Sequence, residues 1–339
     1  MRVEVNGRYL VQQLTGQQRY AREIVARLAD RMHVVRPHGE PKGARGHLWE
    51  QFSLPRRLAH PILWSPSTTG PLAVRNQVVT IHDCAFFDQA GCFSRAFAAW
   101  YQYLVPRLAR RVRQIITVSK FSRGRIIERC GVPPEKVTVI YSGVDSQFRL
   151  HSSEEIEVAR KRLNLPRRYA LCVGSLEPRK NLTRLLQAWQ LAQPRLDGLS
   201  LLLVGAKGHV FRDAGLANAP PDVHLAGYID DDLLPAVYAG ADLFVYPSLY
   251  EGFGLPVIEA MASGVPVITS NVTSLPEVAG DAAITVDPLD VSSIAHAIEQ
   301  VATDSALRAR LREQGISRAT QFNWDRTAAE TWQVLEGAV

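Results

Sequence analysis

Short apolar runs alternate along the chain with longer stretches in which apolar residues return every three or four positions. Residues 3–5, 77–81, 114–118 and 137–140 have the length and β-branched content of buried strands. Residues 18–29, 95–110 and 122–130 between them carry a helical period. The pattern restarts at 169–173, with 201–204, 223–225, 243–246 and 265–269 as further strands. Helices are predicted at 181–193, 231–239, after Gly254, at 292–303, at 305–314 and at 324–335. Strands that alternate with amphipathic helices imply parallel sheets, so the expected class is α/β with two Rossmann-like domains. The polar stretch 146–166, ending at Pro166, is expected to be the linker. The domains are therefore placed at 1–150 and 167–320, with 321–339 as a terminal helical segment.

The 339 residues suffice for two domains of ordinary size, and 46% apolar with 21% charged residues is a globular composition. No run of eighteen apolar residues is present, so no membrane-spanning helix is expected, and the first residues read as a strand. The net charge of +6 is unevenly spread: residues 1–150 hold 23 Lys and Arg against 10 Asp and Glu, the rest 16 against 23. Basic residues gather at Arg107, Arg110, Arg111 and Arg113, and at Lys120, Arg123, Arg125 and Arg129. They are either solvated helix faces or a surface that meets anionic lipid or a phosphate-bearing acceptor. No nucleic-acid module is recognisable, and no nucleic-acid partner is expected. Cys84, Cys92, Cys130 and Cys172 form no C-x-x-C pair and read as free thiols of a reducing compartment.

The chemistry concentrates in 246–264, which holds Glu251 and Glu259 around Gly252, Gly254, Leu255 and Pro256, and closes on Gly264. Pro256 suits the first position of a helix and Gly264 its end. Amides near Gly254, Leu255 and Val257 then point out of a helix start, where an anion binds. Glu251 lies ahead of that anion and is placed to reach sugar hydroxyls. Glu259, one turn into the helix, is placed to reach a ribose. Two ordinary solvated glutamates are the alternative. Arg179 and Lys180 follow the strand 169–173, where ligands bind in open α/β sheets, and are expected to hold phosphate. Gly205, after 201–204, would allow a nucleotide to approach the backbone, and Gly16 would do the same before the first helix. His82 and Asp83 end the strand 77–81. Trp49, Phe52, Trp64, Phe86 and Phe87 are either core or the lining of an acceptor groove. Asp230–Asp232 reads as a helix cap, not as a metal site.

The spacing of Glu251 and Glu259, the preceding Pro-Ser and the following Gly-Val-Pro-Val-Ile resemble the E-x7-E motif of the retaining glycosyltransferases of family 4. The resemblance implies the GT-B fold, two Rossmann-like domains facing across a cleft, with the terminal helix returning to the first. It implies a nucleoside-diphosphate sugar as donor and no cofactor or metal. Arg179 and Lys180 then stabilise the departing diphosphate, although Ser175 stands where many members have Arg. Glu251 holds the sugar, Glu259 the ribose, and the backbone at Tyr228 and Ile229 reads the base. His82 approaches the donor sugar, and Gly16 the acceptor or diphosphate. Ser119, Lys120 and the turn 141–145 also match family segments and read as architectural.

Segments such as 5–10, 63–67 and 79–83 are similar to those of bacterial surface-polysaccharide enzymes. The expected activity is transfer of mannose or rhamnose, from a GDP-sugar by preference, to a lipid-linked glycan acceptor. It would proceed by front-face displacement, in the cytoplasm, with the enzyme peripheral to an anionic inner membrane face. The alternatives are a non-catalytic nucleotide-sugar-binding subunit and another GT-B enzyme, a phosphorylase or epimerase.

Overall fold

The computed structural model describes residues 2–12, 15–39, 41, 43–205 and 220–338, which divide into two compact units. Unit 1 takes in the chain up to Asp88, Arg95–Gly143 and the stretch from Asn323 onward. Unit 2 takes in Gln89–Ser94 and Val144–Phe322. Leu14 and residues 206–208, neighbours of Gly16 and Gly205, lie outside the described residues.

Unit 1 is built on six parallel strands in the order β2-β1-β3-β4-β5-β6: β1 (Val3–Asn6), β2 (Met32–Val35), β3 (Leu63–Ser65), β4 (Gln77–Thr80), β5 (Gln114–Thr117) and β6 (Val137–Val139). Its helices include α1 (Gly16–Arg27), α2 (Ala44–Leu48), α3 (Ala85–Asp88), α4 (Arg95–Arg111) and α5 (Lys120–Cys130). A reciprocal Thr15–Gln18 box opens α1, so Gly16 is its first residue and not part of a preceding glycine loop. Ser119 caps α5 by accepting from the Ser122 amide at 3.0 Å, and Gly131, at φ 61°, ends it. Strands β2 and β3 were not expected. β2 exposes His33, and β3 has only three residues, too few to show a period.

Unit 2 repeats the plan in the order β12-β11-β10-β7-β8-β9, again all parallel. The strands are β7 (Tyr169–Val173), β8 (Ser200–Val204), β9 (Val223–Gly227), β10 (Leu243–Tyr246), β11 (Val267–Ser270) and β12 (Ala283–Val286). The helices are α6 (Ser153–Arg162), α7 (Leu182–Ala192), α8 (Leu234–Ala239), α9 (Leu255–Ala262), α10 (Leu275–Ala279), α11 (Val291–Thr303) and α12 (Ser305–Ala319). The stretch expected as a linker carries α6, opened by a Ser152–Glu155 box, and is assigned to unit 2, whose long stretch begins at Val144 and not after residue 166. The helix expected from 231 starts three residues later, with Leu233 at its cap position, and the Asp230 carbonyl accepts from the Leu233 and Leu234 amides at 3.0 and 3.1 Å.

The last helix, α13 (Trp324–Gly337), belongs to unit 1 and lies along α1. Arg27 Nε donates to Asp325 at 2.6 Å, and the Tyr20 and Trp324 rings meet edge to face at 6.0 Å. Thr327 Oγ1 donates to the Tyr141 carbonyl at 2.8 Å. A Cβ on Gly143 would lie 2.3 Å from the Trp324 amide nitrogen, which restricts that turn to glycine.

Candidate active site

In unit 2 the strand order reverses between β7 and β10, which pair directly. The crevice beyond the carboxyl ends of two such strands is where open α/β sheets bind ligands. The chain leaving β7 makes a one-turn 3-10 helix at Pro178–Lys180, and Asn181, at φ 60°, turns it into α7. Lys180 is thereby directed inward and is 7% exposed. The chain leaving β10 passes through Glu251 to α9.

These two segments meet. Lys180 Nζ donates to Glu251 Oε1 at 2.6 Å and to the Tyr246 hydroxyl at 2.6 Å, and that hydroxyl donates to the same carboxylate oxygen at 2.9 Å. Arg179 Nη1 lies 3.5 Å from Glu251 Oε2 and donates to the Tyr250 carbonyl at 3.2 Å. Arg179 Nη2 is 2.8 Å from Glu177 Oε1. Burial pushes the Glu251 carboxyl up, but the charges of Lys180 and Arg179 outweigh it and hold the pKa below the usual carboxylate range. Burial and the Glu251 charge push the Tyr246 phenol well up, so it stays a donor. Burial raises the Cys172 thiol to about 12. All four cysteines are buried, and none forms a disulfide among the described residues.

The start of α9 differs in detail from expectation. Leu255 is its first residue and Pro256 its second, and Gly254 precedes them at φ 108°. The Val257 amide donates to the Gly254 carbonyl at 3.0 Å, so the amides at the helix tip are those of Gly254 and Leu255. A Cβ on Gly254 would meet Leu275 Cδ2 at 2.7 Å. Glu259 is buried, and its Oε2 accepts from the Tyr238 hydroxyl at 2.9 Å. Ser274 Oγ lies 2.9 Å from the carbonyls of both Glu251 and Phe253, and the Glu251 amide donates to Thr273 Oγ1 at 3.3 Å. Thr273 sits at φ 63°, an unfavourable conformation for a β-branched residue. The loop that carries Glu251 is thus fixed from the β11 side as well.

Gly205 approaches protein and not open space. A Cβ there would fall 1.9 Å from the Gly174 carbonyl, and its own amide donates to Gly227 at 2.7 Å. Its glycine is required by the joint between β7 and β8. Beyond β9, Tyr228 is 59% exposed and Ile229 is buried.

Two of the sequence candidates belong to unit 1. Gly16 is exposed at the head of α1. His82 is buried, and its Nε2 donates to the Pro66 carbonyl at 2.8 Å while the Tyr20 ring stands edge-on at 4.9 Å. Burial lowers its pKa to about 4, so the ring is neutral at physiological pH. Trp64 and Phe86 are core residues, Trp49 packs with Val35 and Leu54, and Phe52 is 59% exposed. Among the described residues no three His, Cys, Asp or Glu side chains form a metal-ligand set.

Sequence reasoning missed Tyr246, Tyr238, Glu177, Thr273 and Ser274. Tyr246 and Glu177 lie within the segments it singled out, but nothing in their spacing shows that they face the charged pair.

Residues 153–318 match the glycosyl transferases group 1 family and residues 60–148 match Glycosyltransferase Family 4. The O-antigen chain mannosyltransferase B of Escherichia coli is 35% identical over 277 residues, covering 80% of this chain and 72% of the relative. The serotype-specific mannosyltransferase WbdA of the same species is 32% identical over 67% of this chain, which spans only 29% of that longer protein. The solved structure of Anabaena HepE in complex with UDP-glucose superposes with a TM-score of 0.78, at 18% identity, over 99% of both chains. Two Rossmann-like domains, each on a six-stranded parallel sheet, give the GT-B class of glycosyltransferase. The chain belongs to glycosyltransferase family 4.

Proposed function

We propose that this glycosyltransferase moves mannose, with retention, from GDP-mannose to a lipid-linked glycan acceptor in bacterial surface-polysaccharide synthesis. The observation that carries the reading is the buried Lys180–Glu251–Arg179 cluster beyond the ends of β7 and β10. Two cations beside a helix start can neutralise a departing diphosphate without a metal, as preorganised charge. Glu251 is assigned to sugar hydroxyls and Glu259, held by Tyr238, to the ribose. The backbone near Tyr228 and Ile229 is assigned to the base. The mannose assignment is supported by the mannosyltransferases to which the chain is similar. The use of a nucleotide sugar is supported by the UDP-glucose bound to the HepE fold relative.

No side chain is assigned as a covalent nucleophile. Glu251 is held by two cations, and the reaction is proposed as a front-face displacement in which the leaving-group oxygen takes the acceptor proton. Unit 1, rich in Arg, is assigned to the acceptor, and the protein to the cytoplasmic face of the membrane as a peripheral enzyme. No helix among the described residues is long and apolar enough to cross a membrane.

The test is thermal shift of wild type and Lys180→Ala with GDP, UDP, dTDP, CDP and ADP, without metal, followed by a transfer assay with GDP-mannose. Ligands that bind only the native state raise its apparent stability. A GDP response lost in the variant, and an α-linked product by NMR, support the reading. A β-linked product or a trapped glycosyl-enzyme would overturn the retaining front-face step.

A further inference from the structure

The charges of the unit 2 site cancel. Arg179 and Lys180 face Glu177 and Glu251, and Glu177, Lys180 and Glu251 are all below a tenth exposed. A nucleoside diphosphate brings about two or three negative charges at neutral pH, as phosphate groups do. An anion that enters a balanced, buried site gains little net attraction unless one carboxylate gives up its cation.

The two carboxylates are held differently. Glu251 lies in the loop after β10 and takes its main bonds from Lys180 Nζ and the Tyr246 hydroxyl, at 2.6 and 2.9 Å. Glu177 lies in the same tight turn as the cations, is fully buried, and accepts at Oε1 from Arg179 Nη2 at 2.8 Å and Ser175 Oγ at 3.1 Å. Lys180 Nζ is 4.0 Å from that same oxygen. Glu177 Oε2 is buried and has no hydrogen-bond partner among the described residues. A buried carboxylate oxygen left unpaired is costly, so Glu177 is held at its place by Arg179 and Ser175 and not by a saturated set of hydrogen bonds. Its turn cannot swing away without carrying Arg179 and Lys180 with it.

We propose that Glu177 is the fixed counter-ion of the donor site and that Glu251 is the displaceable one. The inference rests on the diphosphate reading given above. On donor binding, Lys180 exchanges Glu251 for a phosphate oxygen, and the freed Glu251 carboxylate turns to the sugar hydroxyls. Glu177 keeps Arg179 oriented and keeps the empty site neutral. Ligands carrying a single phosphate then compete poorly with a diphosphate for Lys180, and product diphosphate is released because the site holds no excess positive charge.

Two variants raise the site charge by one in different ways. Glu177→Gln removes a negative charge with little change in size. Ser175→Arg adds a positive one beside Glu177 on a partly exposed residue. Binding of the nucleoside diphosphate that wild type holds most tightly, among GDP, UDP, dTDP, CDP and ADP, is measured by calorimetry together with its uncharged nucleoside. Both variants are expected to bind the diphosphate at least tenfold more tightly, because one added charge within about 12 Å of the phosphates is worth at least about 1.4 kcal/mol at an effective dielectric near 20. The nucleoside affinity is expected to stay unchanged. In transfer assays donor KM and kcat are expected to fall together, since tighter product slows release. A purely structural Glu177 would instead raise KM and weaken nucleoside and diphosphate alike. If Ser175→Arg and any folded Glu177→Gln bind the diphosphate no more tightly than wild type, the fixed counter-ion is disproved. A wild type that binds none of the five diphosphates overturns the donor site itself, and this inference with it.

Discussion

Lys180 Nζ lies 2.6 Å from Glu251 Oε1 although 71 residues separate them along the chain. The contact exists because β7 and β10 are neighbours across the reversal of strand order, so the turns leaving both strands open over one crevice. Tyr246, the last residue of β10, completes the triangle with its hydroxyl.

Removing one member should cost more than removing both. Lys180→Met leaves a buried carboxylate with the Tyr246 hydroxyl and, as its remaining cation, the more distant Arg179, and a broken buried pair costs about 3–5 kcal/mol. Lys180→Met combined with Glu251→Leu removes both charges and should cost clearly less than the sum of the singles. Urea unfolding of the two singles and the double reads the coupling directly. Simple additivity would mean that the pair is not coupled in solution.

Glycine substitutions should separate close approach from flexibility. Gly205→Ala drives a Cβ to 1.9 Å from the Gly174 carbonyl at a φ of 143°, and should lower stability by about 3 kcal/mol or more. Gly124 lies inside α5, and a methyl group there would have nothing within 4 Å, so Gly124→Ala should stabilise by about 1 kcal/mol. Thermal melting of both variants checks the contrast. Equal effects would mean that the β7–β8 joint has room to yield.

Much of the architecture was legible because buried parallel strands are continuous apolar runs. Tyr169–Val173, Leu243–Tyr246 and Val267–Ser270 are buried throughout, and each stands out in the sequence. The strands that escaped lie at sheet edges or are short: β2 and β12 end the two strand orders and keep exposed residues, and β3 has three residues. Helix α6 was hidden by its polarity, although Ser152 and Glu155 form a capping box visible in the sequence. The site was legible as motifs but not as contacts. Strand order brings Lys180 to Glu251 and Tyr238 to Glu259, and no local pattern encodes strand order.

His82 predicts an acid-side loss of stability in unit 1. Its folded pKa is about 4 because burial disfavours the charged ring, while the unfolded value is near 6.5. The contribution is therefore present above the unfolded pKa. As pH falls from about 6.5 to 4 the unfolded chain takes up the proton first, and about 3 kcal/mol is lost. His82→Gln keeps a donor for the Pro66 carbonyl and removes the titration. The variant should melt with a shallower decline between pH 6.5 and 4 than wild type. His47, also lowered by burial, should supply part of the remaining slope, whereas Glu251, with a lowered carboxyl pKa, adds its loss only from the unfolded carboxyl value downward, at the foot of that window and below it. An unchanged profile in His82→Gln would mean that the ring titrates normally in the folded protein.

The basic residues of unit 1 should divide into those that hold the fold and those that hold a surface. Arg110 Nε donates to the Cys130 carbonyl at 2.8 Å, Arg123 Nε to Val137 at 3.0 Å, and Arg125 and Arg129 both meet Asp88. Arg111 and Arg113 are exposed, and among the described residues neither side chain makes an ion pair or hydrogen bond. A peripheral role at an anionic membrane would therefore draw on Arg111 and Arg113 and much less on the other four. Each cation near such a surface is worth about 1 kcal/mol. Arg111→Glu with Arg113→Glu should cut cosedimentation with phosphatidylglycerol-containing vesicles by more than tenfold at low salt and leave melting unchanged. Arg110→Glu should instead lower the melting temperature, because the Cys130 carbonyl loses its donor at the end of α5. Wild-type binding that is equally weak with neutral vesicles and anionic ones, or insensitive to salt, would remove the membrane from the proposal and leave the basic face to a phosphate-bearing acceptor in solution.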